Sequence, residues 1–139
     1  RVPFIVNQPG MVPIQTLDNL IYFPDMMPTL AALAKGTKHL PKQINGINIL
    51  PLFYGKQVDT DNRLLYWEFP GKQRAARKGD WKCVTIHPNQ PLELYNLKED
   101  PEETNNLAKK YPRRVKEFDE EMQRMHIPTP NWPQPGEQF

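Results

Sequence analysis

Hydrophobic and polar side chains alternate most clearly over residues 64–86. Two runs in this stretch, Leu64–Phe69 and Trp81–Ile86, have a period of two. Strands show this period because successive side chains point to opposite faces. Pro70 and the glycine after it end the first run, and the segment Lys78–Asp80 has the composition of a tight turn. Gln73–Arg77 is then a middle strand, and the stretch predicts a small antiparallel sheet.

Two segments have the helical period instead. Over Pro24–Ala34 the apolar positions recur at intervals of three and four, with Asp25 near the start and Gly36 placed to cap the end. They are Met27, Leu30, Ala31 and Ala34. Pro112–Met125 carries a similar apolar stripe, made of Val115, Phe118, Met122 and Met125. We expect this second helix to lie across the sheet face that carries Trp67 and Trp81.

The remaining segments complete the predicted architecture. Val2–Val6 is short and wholly apolar, which is typical of a strand buried on both faces. Leu92–Tyr95 predicts a further short strand, which gives a sheet of three to four strands. Asp100–Lys110 has an aspartate, a proline and a glutamate where a helix start has them. The tail Ile127–Phe139 is predicted to be extended. The fold class is therefore α+β.

Composition limits the functions open to the chain. It has 139 residues, 16 prolines, 38% hydrophobic residues and a formal net charge of +2. The small net charge gives no electrostatic case for binding nucleic acid. No apolar run approaches the roughly 20 residues of a membrane span. The thin apolar content favours a chain that is loop-rich or has part of its core supplied by something else.

Three motifs in the second half occur in a fixed order. They are Tyr66–Phe69, then Ala76–Lys82, then the pair Glu93–Leu97 and Asp100–Ala108. Together they resemble the C-terminal subdomain of type I sulfatases, the arylsulfatase and N-acetylgalactosamine-6-sulfatase group. The first half resembles the same family at Arg1–Val6, at Asp25–Ala34 and at the connector Ile44–Leu52.

The resemblance implies an organisation in two parts. Residues 1–62 resemble the strand-helix end of an α/β catalytic domain, like that of alkaline phosphatase, with its connector. Residues 63–139 resemble the sulfatase C-terminal subdomain, a small sheet covered by a helix. The partner of this segment would be the rest of the sulfatase chain. If the segment is made alone, we expect residues 1–62 to be loosely ordered or to pair with a second copy.

The resemblance also implies the chemistry of the parent enzyme. Type I sulfatases hydrolyse sulfate esters with a formylglycine, made from cysteine or serine, and with a calcium ion. Neither the nucleophile motif nor the calcium ligands are visible in this segment. Cys83 lacks the motif and is expected to be structural. His39, His87 and His126 lack metal-site spacing and are expected at the surface or in loops. The segment is expected to be inactive alone, and its parent to be periplasmic or secreted.

The best candidate for substrate contact is the connection between the first two strands. In related sulfatases a loop near here contributes to recognition of a sulfated sugar. Trp67 offers a surface for stacking on a sugar ring, and Arg74 offers a partner for a sulfate or carboxylate. The candidate rim of the substrate cleft is therefore Trp67, Glu68, Lys72 and Arg74. The residues alone also allow Trp67 to belong to the core and Arg74 to point to solvent.

Two other interpretations remain open at this stage. The chain has a local excess of basic residues, which fits a free-standing module that binds an anionic glycan or a protein. That module would use Arg63, Lys72, Arg74 and Lys78. The parent could also be a pseudo-enzyme, or a phosphonate or phosphodiester hydrolase of the same superfamily.

Overall fold

A computed structural model describes residues 2–69, 73–87, 90–131, 133 and 136–138. The chain divides into two compact units, Arg1–Thr60 and Asp61–Phe139. The sequence-based boundary, between residues 62 and 63, lies two residues from this division.

The second unit is built on an antiparallel sheet of four strands in the order β1-β2-β3-β4. The strands are β1 (Leu65–Phe69), β2 (Gln73–Lys78), β3 (Trp81–Thr85) and β4 (Glu93–Asn96). Each pairs with the next along the chain. Gly79 takes a positive φ of 56° in the turn between β2 and β3, as the turn composition predicts. The small antiparallel sheet and the α+β class are confirmed.

Helix α3 (Pro112–Met125) covers one face of this sheet. It has the predicted bounds, and it begins at a proline, which is favoured in the first turn because the missing N–H has no partner there. Its buried residues Phe118 and Met122 pack with a row of side chains across the sheet. That row is formed by register partners on the four strands, namely Tyr66, Ala76, Cys83 and Leu94.

Trp67 does not lie on the face that α3 covers. Its neighbour Tyr66 packs against the core under the helix, and neighbouring strand residues point to opposite faces. Trp81 does pack against that core, as expected. The prediction that α3 covers both tryptophans is therefore wrong for Trp67, and the reason is the register of β1.

The predicted helix over Asp100–Lys110 is replaced by turns. Side chains in this segment satisfy backbone donors that a helix would bond internally. The Asp100 carboxylate accepts from the N–H groups of Thr104 (3.1 Å) and Asn105 (2.8 Å). The Asn106 side chain accepts from the N–H of Leu94 on β4. Such local bonds compete with helix formation, and here they fold the segment onto the sheet edge.

The first unit holds two short helices, α1 (Met26–Leu33) and α2 (Leu50–Phe53). The predicted helix is present as α1, preceded by a 3-10 turn over Phe23–Asp25. The predicted strand Val2–Val6 is not: its described residues form no strand, and Val2 and Ile5 are exposed. A strand needs a neighbour to bond its backbone, and among the described residues the sheet consists of β1 to β4.

The buried side of α1 is opposite to the side that its apolar residues predict to be buried. Met27 and Leu30, from the predicted buried stripe, are exposed, whereas Asp25 and Thr29 are buried. Gly36 does not take the left-handed cap conformation either. Lys35 does so, with φ 56°, and the Gly36 N–H donates to the Ala31 carbonyl oxygen (2.7 Å).

Buried polar side chains join α1 to the connector after it. The Asp25 carboxylate accepts from the N–H groups of Tyr22 and Ile47, both at 3.0 Å. The Thr29 hydroxyl accepts from the Ile49 N–H at 3.0 Å. A Cβ at Gly46 would lie 2.0 Å from the Pro24 carbonyl oxygen, so only glycine fits there. These contacts give the aspartate and threonine of the family-like motif a structural role.

We predict that Met122→Ala destabilises the second unit by about 2–5 kcal/mol, because it removes a fully buried side chain and leaves a cavity. Urea unfolding followed by circular dichroism would measure this. The matched control is Met27→Ala, also within a helix but exposed, which we expect to change stability by less than about 0.5 kcal/mol. Equal losses in the two variants would contradict the assigned core.

We predict that Cys83 is unreactive in the folded chain. Burial raises the pKa of its thiol to about 12, and the Asp119 carboxylate adds to this while Arg74 opposes it. Since the thiolate is the nucleophile, alkylation at pH 8 should be at least about 100-fold slower than at an exposed cysteine.

The comparison is made in a Lys38→Cys variant, which carries one exposed and one buried thiol in the same molecule. Mass spectrometry of iodoacetamide labelling would show a fast and a slow site, and guanidinium should make both fast. Similar rates in the folded protein would refute the buried position of Cys83.

Candidate functional site

Three of the four predicted rim residues lie in the described part of the chain, and these three do not share one face of the sheet. Glu68 and Arg74 are register partners on β1 and β2, on the face that α3 covers. Trp67 lies on the opposite face. Lys72 lies outside the described residues. The structure therefore brings together Glu68 and Arg74 only, and both have partners inside the unit.

Glu68 belongs to a cluster of hydrogen-bonding groups at the end of β1. Its Oε2 atom accepts from the Tyr66 hydroxyl at 2.5 Å and lies 2.8 Å from Nδ1 of His126. The other ring nitrogen, Nε2, lies 2.5 Å from Oε1 of Glu137. His126 thus stands between two carboxylates, one on the sheet and one in the C-terminal segment.

The cluster changes the acidity of two of its members. Burial, the hydrogen bond to Glu68 and the charge of Glu68 raise the pKa of Tyr66, and Arg74 opposes this. The hydrogen bonds to Glu68 and Glu137 raise the pKa of His126, and burial opposes this. The Tyr66 phenol is therefore a donor at neutral pH, and the protonated form of His126 is favoured by its surroundings.

Arg74 is held by α3. Its Nη2 donates to Oδ1 of Asp119 at 2.9 Å, and the Gln123 side chain donates to the other oxygen of the same carboxylate. The Arg74 side chain is 22% exposed. A sulfate could pair with this guanidinium only in competition with Asp119.

Two further basic side chains of the sheet, Lys78 and Lys82, also have acidic partners. Lys78 lies 3.3 Å from Glu121 on α3, and Lys82 lies 2.6 Å from Glu103. With the pair made by Arg74, these contacts neutralise much of the local basic excess.

The face of the sheet opposite α3 presents aromatic side chains at the end of β1. Trp67 is 44% exposed and Phe69 is 61% exposed. Alternation along the strand places both on that same face. Of the predicted rim residues that the structure describes, Trp67 is therefore the one whose ring is accessible to a ligand.

Sequence reasoning missed His126 and Glu137. His126 lies outside the helices and strands, in agreement with the predicted loop position, but its side chain is only 16% exposed. Its partner Glu68 is 58 positions away in the chain. No local pattern reports such a pairing, since it depends on where α3 ends over the sheet. Cys83 is buried in the core under α3.

Potential metal ligands are scattered over the described part of the chain. No three His, Cys, Asp or Glu side chains there come together as a metal ion requires. No described helix has the length and apolar character needed to cross a membrane.

Residues 1–127 match a protein family described as N-sulphoglucosamine sulphohydrolase, C-terminal. An uncharacterized protein of Haemophilus influenzae is 32% identical over 134 residues, which cover 88% of this chain and 67% of that protein. The ulvan-active sulfatase of Formosa agariphila is 27% identical, over 78% of this chain and 29% of that enzyme.

Solved structures show the same relationship. A 2-O GAG sulfatase, BT1596, superposes with a TM-score of 0.56 and 27% identity, over 73% of this chain and 23% of that one. The chain thus spans less than a third of these sulfatases. With the match over residues 1–127, these likenesses show that the chain belongs to the sulfatase family and corresponds to the C-terminal portion of its members.

Proposed function

We propose that this chain is the C-terminal part of a sulfuric ester hydrolase that acts on sulfated sugars. The observation that carries the proposal is the family match over residues 1–127. The names of two relatives support the substrate class, since one is ulvan-active and the other is a 2-O GAG sulfatase. In this proposal the rest of the polypeptide supplies the formylglycine nucleophile and the calcium ligands.

Exposed apolar side chains on α1 and on the 3-10 turn before it support a covering partner. Phe23, Met27, Leu30 and Leu33 are all more than half exposed. Their spacing of four, three and three residues places them on one side of the helix. An apolar surface of this kind marks a site of contact with protein. We propose that the catalytic part of the same polypeptide covers it.

Within the substrate cleft we assign different roles to the rim residues. Trp67 would stack on a sugar ring, because its indole is 44% exposed on the face of the sheet opposite α3. Glu68 and Arg74 would position the β1–β2 connection, because each is held by side chains of the same unit. Lys72 keeps its predicted role as a rim residue.

The proposed location of the whole enzyme is the periplasm or the exterior of the cell. Sulfated polysaccharides are large and highly charged, and such molecules do not cross a bilayer unaided. An enzyme that cleaves them must meet them outside the cytoplasm.

A free-standing module that binds anionic glycans is the second candidate. The observation in its favour is the Haemophilus relative, of which this chain covers 67%. The ion pairs of Arg74 and Lys78 weigh against it, since they occupy two of the four basic groups that would contact the glycan. The sulfatase proposal therefore takes precedence.

We predict that the full-length polypeptide containing this sequence releases inorganic sulfate from sulfated oligosaccharides, and that the 139-residue chain alone releases none. Ion chromatography would quantify the sulfate, with an aryl phosphonate ester as the competing substrate. Release from the 139-residue chain would refute the placement of the nucleophile elsewhere. Turnover of the phosphonate without sulfate release would reassign the parent to another hydrolase class, and binding of heparin without any turnover would favour the module.

We predict that Trp67→Ala in the full-length enzyme raises KM for a sulfated oligosaccharide by roughly 2- to 12-fold, as expected for the loss of one aromatic contact. It should leave KM for a small aryl sulfate unchanged, because that substrate does not extend to the rim. Trp67→Phe, which keeps a ring, should recover much of the difference. Equal changes with both substrates would show a structural role for Trp67.

A further inference from the structure

The first residues of α3 and the turn before it form the most basic stretch of the chain. Five of the 18 lysines and arginines lie within residues 109–116, and this basic segment contains no aspartate or glutamate. The five are Lys109, Lys110, Arg113, Arg114 and Lys116. All of them are exposed. A chain with a formal net charge of only +2 therefore concentrates positive charge on one short, accessible stretch.

These charges do not serve the stability of the helix. The first turn of α3 holds Arg113 and Arg114 and no acidic residue. That turn is the positive end of the helix dipole, where carboxylates are favourable and cations are not. The arrangement is the reverse of the stabilising one, so the basic segment needs an explanation other than helix formation.

The chain itself neutralises little of this charge. Within the part of the chain that the structure describes, Lys109, Lys110 and Arg113 form no ion pair. Lys116 lies 3.8 Å from Glu120, and the two side chains are 79% and 57% exposed. Water screens such an exposed pair, which contributes little. The basic segment thus differs from Arg74 on β2, which is held by a carboxylate of α3.

Two aromatic rings lie among these cations. The rings of Tyr111 and Trp81 meet edge to face, with centroids 5.3 Å apart and an angle of 73° between their planes. The guanidinium carbon of Arg114 lies 4.3 Å from the centroid of the Trp81 ring, and Nζ of Lys110 lies 5.4 Å from that of Tyr111. Trp81 packs against the core, so these contacts fix the basic segment on the sheet. The Tyr111 side chain keeps 36% of its surface exposed.

Exposed cations beside an accessible aromatic ring match the chemistry of a sulfated polysaccharide. Each sulfate group accepts charge-assisted hydrogen bonds from lysine or arginine. The apolar C–H groups of a sugar ring pack on an aromatic side chain. Runs of five to eight residues rich in lysine and arginine are typical of patches that bind heparin or nucleic acid. A polymer that repeats its anions along the chain contacts several of these cations at once.

We propose that the basic segment binds a sulfated polysaccharide, through Lys109, Lys110 and Arg113 to its sulfate groups and through Tyr111 to a sugar ring. The choice of a sulfated sugar polymer over other polyanions rests on the proposed function. Trp81, on which the segment is anchored, packs on the face of the sheet that α3 covers, whereas Trp67 lies on the opposite face. The segment would therefore hold the polymer through contacts that Trp67 does not make.

Heparin binding to the full-length polypeptide tests this, by isothermal titration calorimetry at low and at physiological salt concentration. The test variant combines Lys109→Gln, Lys110→Gln and Arg113→Gln. We expect its Kd at low salt to rise by roughly 3- to 100-fold, because each exposed ionic contact contributes a factor of up to about five. The salt dependence of binding should weaken as well. A variant with Lys109→Arg, Lys110→Arg and Arg113→Lys keeps the charge and should keep the affinity.

The matched control combines Lys38→Gln, Lys42→Gln and Lys56→Gln, which removes three exposed charges of the first unit. Its Kd should stay close to that of the unmodified protein, and circular dichroism would verify that all variants are folded. Equal weakening in the test and control variants would show a dependence on net charge alone. That result, an unchanged Kd in the test variant, or an unmodified protein that does not bind heparin would each overturn the proposal.

Poly(U) RNA is the competing polyanion, since it offers phosphates and bases that stack on aromatic rings. We expect it to bind more weakly than heparin. Binding of equal strength, lost to the same extent in the test variant, would make the basic segment a general polyanion surface and would overturn its assignment to sulfated polysaccharides.

Sulfate release measured on the same samples separates this inference from the proposed function. Heparin binding through the basic segment by a protein that releases no sulfate would contradict the sulfatase and support the segment. Sulfate release by a test variant that binds heparin as tightly as the unmodified protein would support the sulfatase and overturn the segment.

Discussion

The second unit depends on how closely α3 can approach the middle of the sheet. Ala76 and Cys83 occupy the two central strands of the contact row, and both are small and fully buried. Their size leaves room for Phe118 and Met122, which fill the space above them. Packing at this density fixes one position of the helix. This packing positions the end of α3, and His126 directly after it, beside β1. The polar cluster around Glu68 therefore depends on the apolar contact between α3 and the sheet.

The elements that the sequence predicts well are those whose information is local. The period of two in β1 and β3, the glycine turn between β2 and β3, and the stripe on α3 each lie within a few residues. The helix predicted over Asp100–Lys110 does not form, for a related reason. Its start has the composition of a helix cap, yet the side-chain oxygens of Asp100 and Asn106 accept hydrogen bonds from loop and β4 amides. Residue types at a cap position do not say which amide the side chain will reach.

The candidate site was less predictable, because it is made of contacts between distant positions. Alternation identified Trp67 and Glu68 as lying on opposite faces of a strand, but not which face α3 would cover. The sequence allows Arg74 a role in binding, but it gives no sign of the pairing with Asp119, 45 residues away. His126 offered no signal at all, since its partners lie on a strand and in a tail that have no pattern in common. Sequence alone therefore located the β1–β2 hairpin, but it did not determine which partners the side chains of the hairpin contact.

The region around α1 departs from the usual distribution of residues, although Ile49 and Leu52 of the same unit are buried. This departure is informative about its energetics. Asp25 and Thr29 are buried and bond backbone amides of the connector, whereas Met27 and Leu30 point to solvent. Hydrogen bonds specify geometry but each adds only about 0.5–1.5 kcal/mol net, while burying a side chain such as leucine adds about 1.5–3 kcal/mol. Polar contacts therefore determine the geometry of this region, and much of its apolar surface remains exposed to water. A partner that covered the exposed side of α1 would add the free energy of burying its apolar side chains, and the helix would not have to change its conformation. This is the energetic pattern expected of a segment whose geometry is determined locally and whose stability is completed by the protein around it.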